Sequence, residues 1–164
     1  GSPTPAIGPV ILGRTVRENC ALRESSFLAA RITLHTDIDL DERTVEAERG
    51  AIDKILHALL NNSEQVFREN PLVTDREVWV RCTETEAGIA VDVTDNGPGV
   101  PEETSLDIFE PFFSTRRSGG LGLGLTIGRT LAEQMGGTLE LIRKHNNPGS
   151  GACFRLTLPF TKEL

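Results

Sequence analysis

Asn62, Asp95 and the run Gly119-Gly120-Leu121-Gly122-Leu123-Gly124 are the residues whose types and spacing suit them to hold a ligand. At helical spacing Asn62 falls about 20° from Ile55, at the margin of an apolar stripe that Ala58 and Gln65 also border. An amide there either bonds to neighbouring backbone or offers an oxygen to a hard cation such as Mg²⁺ at the lip of a cleft. Asn61, about 100° further round, is expected to point to solvent. Asp95 follows Ile89, Val91 and Val93, whose alternation carries its carboxylate onto the buried face of a strand, where it needs a donor. It opens Asp95-Asn96-Gly97-Pro98-Gly99, which reads as a turn or as a loop whose glycines let backbone pass close to a ligand. The glycines at 119, 120, 122 and 124 run straight into a helix, and bare N–H groups at a helix start make an anion site. A flexible hinge is the other reading. Neither familiar phosphate motif is present. Gly-Lys-Ser/Thr is missing, and Ser114-Thr115-Arg116-Arg117-Ser118, not a strand, precedes the glycines.

The rest of the chain supplies elements to position these groups. Residues 14–28 predict a first helix of weak apolar pattern. Arg31–Ile38 predict a strand, with Ile32, Leu34, Thr36 and Ile38 on one face. Asp39–Arg49 reads as linker or helix entry. Ile52, Ile55, Leu56, Leu59, Leu60, Ser63, Val66 and Phe67 then mark an amphipathic helix that Asn70-Pro71 ends. A hairpin follows (Glu77–Thr83 and Ile89–Asp95), then a turn-rich stretch to Gly124 with one apolar island, Ile108–Phe113. A helix over Leu125–Met135 stops at Gly136-Gly137, and Thr138–Lys144 with Ala152–Leu158 forms a second hairpin. This order predicts an α/β two-layer sandwich, with helices on one face of a mixed, mostly antiparallel sheet.

Composition narrows the function. One domain of 164 residues with 17 basic and 24 acidic side chains, a net charge of −7, does not present a nucleic-acid surface. The three cysteines, Cys20, Cys82 and Cys153, lie far apart in no zinc or disulfide pattern, which favours a reducing compartment. No apolar run approaches the roughly 18 residues of a membrane span, and no membrane contact is expected of this chain. Gly1-Ser2-Pro3 reads as a cloning remnant, with residues 1–9 outside the fold and the domain spanning 10–164.

Taken together and in order, IDKILHALLNNSEQV (52–66), DNGPGVP (95–101), IFEPFFSTRR (108–117) and GGLGLGLTIGRTLAEQMGG (119–137) resemble the nucleotide-binding boxes of the catalytic domain of bacterial sensor histidine kinases. The ending GSGACFRLTLP (149–159) is similar to that family's last strand, so the likeness covers about residues 10 to 160. Gyrase B, Hsp90 and MutL share the wider ATPase superfamily and its Bergerat fold. The resemblance implies that Asn62 holds Mg²⁺ against the phosphates of ATP. It implies that Asp95 accepts the adenine amino group, with Gly97 and Gly99 giving the base room, and that Gly120, Gly122 and Gly124 present N–H groups to the phosphates. Gln65, Val66, Val100, Thr115, Arg116, Leu121, Leu123 and Leu125 complete the implied nucleotide contacts. Phe109, Phe112 and Phe113 would anchor a mobile lid over residues 100–119, and Arg116 stands where the family's lid often has Lys; Arg116 and Arg117 read either as phosphate contacts or as solvated loop charges.

The chain departs from the family at Ala58, where the kinases often carry Asn and the superfamily's hydrolases a water-activating Glu. Alanine does neither job, which points away from hydrolysis and towards transfer to an acceptor. None of His35, His57 or His145 sits in the family's acceptor setting, so the phosphoacceptor is expected on a separate dimerisation domain, with a response regulator downstream. A cytoplasmic site follows, whether or not the parent protein is membrane-anchored. An ATP-hydrolysing clamp and a non-catalytic nucleotide-sensing module are the alternative readings.

Overall fold

Along the central strands every second side chain is apolar, and among the described residues that row is buried under three helices. The computed structural model describes residues 7–39, 42–100, 108–110, 124–143 and 151–162. Its elements are β1 (Gly8–Ile11), α1 (Leu12–Ala29), β2 (Ile32–Asp37), β3 (Thr44–Ala47), α2 (Arg49–Arg68), β4 (Arg76–Glu84), β5 (Gly88–Asp95), α3 (Gly124–Gln134), β6 (Thr138–Arg143) and β7 (Cys153–Pro159). The main sheet has the order β2-β4-β5-β7-β6, and only β2 and β4 run parallel. The mixed, mostly antiparallel two-layer arrangement expected from the sequence is therefore the one observed.

Val78, Val80 and Cys82 of β4, Ile89, Val91 and Val93 of β5, and Phe154, Leu156 and Leu158 of β7 form the buried face. The opposite face stays wet. Asp37, Arg81, Asp92, Arg155 and Glu140 are register partners across all five strands, so their charges alternate. Arg155 donates to Asp92 through Nε at 2.7 Å and Nη2 at 2.9 Å, and Arg81 lies 3.5 Å from Asp37. Such cross-strand pairs favour one register and keep the face soluble.

The amphipathic helix is longer than its apolar core. Glu48 caps α2 by accepting from the N–H groups of Gly50 and Ala51, which draws the start back to Arg49. At its other end Asn70 donates to the Val66 carbonyl at 2.6 Å, just before Pro71. The weak pattern of α1 also has an explanation. Two of its buried positions, Thr15 and Asn19, are polar, and the Asn19 amide donates to both the Thr15 carbonyl and Asp53 on α2 at 2.9 Å.

Two expectations are corrected. Residues 1–9 do not all lie outside the fold, because Gly8 and Pro9 pair with Ala47 and Glu46 in β1·β3. Likewise the stretch read as linker or helix entry, which does lead into α2, also contains β3. Its four residues are too few to show a period, and they become a strand because β1 and the bridge from Phe160 to Val45 supply partners.

Close packing makes Gly88 obligatory. A Cβ there would stand 1.9 Å from the Leu158 carbonyl oxygen, which is backbone and cannot step aside. Gly88→Ala is expected to cost about 1–3 kcal/mol and to lower Tm by several degrees. A urea titration showing unchanged stability would contradict this packing.

All three cysteines are free and buried. Burial, with a smaller push from Glu24, raises the Cys20 thiol to about 11; burial first, then Cys20 and nearby carboxylates, raises Cys82 to about 12. Only the thiolate reacts, so neither should react with a thiol reagent at neutral pH until the chain is unfolded. Fast labelling of Cys20 or Cys82 in the native protein would refute that.

Candidate functional site

Helix α2 serves as the floor of the site. Ala58, Asn62 and Val66 lie four residues apart on one row, about 6 Å per step along the axis, and all three are half-buried. A methyl group on Gly124, the first residue of α3, would stand 3.5 Å from the Ala58 Cβ. A methyl group on Gly97 would stand 2.8 Å from Val66 Cγ1 and 3.0 Å from Asp95 Oδ1. Gly124 at the start of α3 and Gly97 in the loop after β5 thus meet α2 one turn to either side of Asn62.

Asp95 is 2% exposed, on the core face where alternation predicts it. Its Oδ1 accepts the N–H of Gly97 at 2.9 Å, and its own N–H donates to the Ala152 carbonyl at 3.0 Å. Asn96 turns the other way. Its Oδ1 accepts from the Glu77 N–H at 2.9 Å and its amide donates to the Asp75 carbonyl at 2.8 Å. Gly99 has φ +80°, a left-handed conformation that excludes most side chains and lets the loop turn away from β5.

The start of α3 is held by its neighbours. Gly128 packs with room for little more, since a Cβ there would lie 3.3 Å from Leu139. The Thr126 hydroxyl donates to the Phe109 carbonyl at 2.5 Å. Phe109 meets Phe154 edge-on at 6.2 Å, and the Arg129 guanidinium lies 4.8 Å above its ring. Of the aromatic island, Phe109 is seated on α3 and β7, and Ile108 is buried in the core.

The structure brings together Asn62, Val66, Asp95, Gly97 and Gly124 from the expected set. Gln65 and Gly99 are half-buried beside them, while Val100 and Leu125 are half-buried against the core. Asn61, expected to face solvent, is also half-buried, so exposure does not distinguish it from Asn62; only the row shared with Ala58 and Val66 does. Phe112, Phe113, Thr115, Arg116, Arg117, Gly120, Leu121, Gly122 and Leu123 lie outside the described residues. His35 pairs with Glu77 and stacks on Trp79 on the outer sheet face. His57 is exposed and receives a bond from Arg23 at 2.9 Å, whereas His145 lies outside the described residues.

Glu64 is buried, although sequence reasoning did not single it out. It lies about 200° round α2 from Asn62, 3.4 Å from Arg68 and close enough to Arg23 to oppose the lowering of that guanidinium's pKa by burial. It therefore belongs to the α1–α2 seam rather than to the cleft.

The sequence profile described as histidine kinase-, DNA gyrase B- and HSP90-like ATPase matches residues 50–162. The chain belongs to this family. Within it, the chain is similar to the C4-dicarboxylate transport sensor protein DctB of Rhizobium meliloti, with 31% identity over 93% of this chain. Its similarity to the sensor histidine kinase MtrB of Mycobacterium leprae is 37% identity over 90% of this chain. It spans only 23% of the first relative and 26% of the second. Among solved structures, the nucleotide-free catalytic domain of histidine kinase ThkA superposes with a TM-score of 0.78 at 27% identity. That match covers 93% of this chain and 95% of the other. Full-length ShkA with AMPPNP shares the fold, with a TM-score of 0.79 at 24% identity over 99% of this chain and 33% of that one. By family and fold the chain thus corresponds to the domain solved as the catalytic domain of histidine kinase ThkA. Among its described residues no helix is long and apolar enough to cross a membrane.

Proposed function

We propose that this domain binds ATP·Mg²⁺ across α2 and passes the γ-phosphoryl group to a histidine on a separate dimerisation domain of its parent protein. The observation that carries the reading is the α2 row, which sets a carboxylate loop and a glycine-opened helix one turn either side of Asn62. Buried Asp95 accepts the adenine amino group, and the half-turn at Gly97 and Gly99 leaves the base its space. At the start of α3, N–H groups bare of side chains receive the phosphates, the role we assign to Gly120, Gly122 and Gly124 with Leu121, Leu123 and Leu125 alongside. Gln65, Val66, Val100, Thr115 and Arg116 line the nucleotide in the same reading.

Asn62 offers a single hard oxygen on that row, which suits Mg²⁺, a cation that takes one or two protein oxygens and leaves the rest to phosphate and water. Once bound, the cation neutralises charge on the phosphates. The domain itself supplies positioning: one P–O bond to ADP breaks as one P–N bond to the acceptor forms. A neutral imidazole nitrogen is already nucleophilic, so no base is required of this chain, and Ala58 supplies none. The acceptor domain, a response regulator that draws the phosphoryl group onward, and a cytoplasmic location are part of this proposal.

Incubating the domain with γ-labelled ATP, with and without a histidine-bearing dimerisation domain, tests it. Label on the acceptor histidine is expected, with little free phosphate. Steady release of phosphate without an acceptor would favour the hydrolase reading, and binding with neither outcome would favour a sensing module.

A further inference from the structure

We propose that Asn96 and Gly151 are positioning residues that clamp the peptide carrying Asp95 and so set how well the domain distinguishes adenine. This rests on the assignment of Asp95 as the adenine acceptor. It adds two residues that touch neither base nor phosphate in that reading.

The clamp is built where the sheet runs out. β5 is paired with β4 as far as Val78↔Asp95 and with β7 as far as Thr94↔Cys153. Asp95 is thus the last residue of β5, laddered on the β4 side only, and the peptide that follows it enters the loop. On the β4 side Asn96 carries the pairing one residue further. Its N–H donates to the Glu77 carbonyl at 3.2 Å, its Oδ1 accepts the Glu77 N–H at 2.9 Å, and its amide reaches the Asp75 carbonyl at 2.8 Å. Three bonds thus tie the residue after Asp95 to Glu77 and Asp75, two residues apart at the start of β4.

The β7 side is held by contact. The Ala152 carbonyl accepts the Asp95 N–H at 3.0 Å. Gly151, at φ +66°, lies so close that a Cβ on it would stand 1.6 Å from the Asp95 carbonyl oxygen, 2.5 Å from its carbon and 3.0 Å from Asn96 Cα. Only glycine satisfies both that conformation and that approach. All three nearest atoms are backbone, so any larger residue must move the Asp95–Asn96 peptide itself. The Gly97 N–H bond to Oδ1 at 2.9 Å then passes the backbone position on to the carboxylate. Because a hydrogen bond weakens steeply with misalignment, a shift of the peptide should degrade the bond to the adenine amino group ahead of contacts to the phosphates.

That difference is the readout. Affinities for ATP and for purine riboside triphosphate, which lacks the exocyclic amine, are measured by calorimetry on the wild-type domain and on Asp95→Asn, Asn96→Ala and Gly151→Ala. The wild type is expected to prefer ATP about tenfold or more, the scale of one charge-assisted bond, and Asp95→Asn to erase the preference. Asn96→Ala, which removes two side-chain bonds and leaves the helices and sheet untouched, is expected to cut the preference about 3- to 10-fold. Gly151→Ala is expected to cut it at least as far in the folded fraction. If Asn96→Ala weakens both nucleotides equally, or neither, while Asp95→Asn erases the preference, the clamp is refuted and the adenine assignment stands. If Asp95→Asn keeps the preference, the adenine assignment itself fails.

Discussion

Replacing Asp95 with Asn should weaken ATP binding about 10–100-fold, the equivalent of a charge-assisted hydrogen bond of roughly 1.5–3 kcal/mol. The geometry makes this substitution specific. The Gly97 N–H needs only an acceptor oxygen, which Asn retains, so the loop and the bond at 2.9 Å should survive. The charge is lost, and one of the two oxygens becomes a donor that opposes an amino group. Melting should change little, because replacing a buried carboxylate by an amide removes desolvation cost along with attraction. Calorimetry on the folded variant decides the matter, and unchanged ATP affinity would remove Asp95 from the nucleotide site.

Asn62→Ala should abolish phosphotransfer while leaving a folded domain that still binds ADP weakly. Alanine favours a helix interior, and α2 is anchored by Ile55, Leu56, Leu59, Leu60 and Phe67, all 1% exposed or less. Stability therefore has little stake in this half-buried position. With Ala58 one turn back offering no oxygen, no other side chain of that row can take over the cation. Titration of Mg²⁺ into the nucleotide complex should show a clear magnesium dependence of ATP binding in the wild type and none in the variant. Adenine recognition through Asp95 should persist, since Asp95 contacts the other end of the row through Gly97 and Val66. If the variant transfers phosphate with the wild-type magnesium requirement, the metal site lies elsewhere.

The two substitutions also separate the readings of the domain. Loss of ATP binding in Asp95→Asn with transfer restored at high ATP assigns the residue to binding. Loss of transfer at saturating ATP in Asn62→Ala assigns the amide to the reacting end of the nucleotide.

Periodicity and punctuation are local properties, and what they determine was legible in the sequence. The 3.6-residue repeat from Ile52 to Phe67 fixed which face of α2 is buried and left Asn62 at its margin. The two-residue repeat from Ile89 through Val93 carried Asp95 into the core, and Gly124 announced the start of α3. The ordered boxes identified the family for the same reason, because each is a short stretch whose chemistry needs particular neighbours. What depends on partners distant in the chain was not legible. β1 and β3 are four-residue strands that exist only because they pair with each other, and β3 with Phe160. The helix at α1 was legible, but the reason for its weak apolar pattern was not: Asn19 is buried because Asp53 of α2 lies beside it. Above all, nothing in the order of residues says that Gly97 rests on Val66, that Gly124 rests on Ala58, or that Gly151 backs onto Asp95. Those approaches are set by how the helix layer lies on the twisted sheet and by where β7 ends beside β5. Only the packed tertiary structure brings Gly97 and Gly124 to the same helix and Gly151 to Asp95.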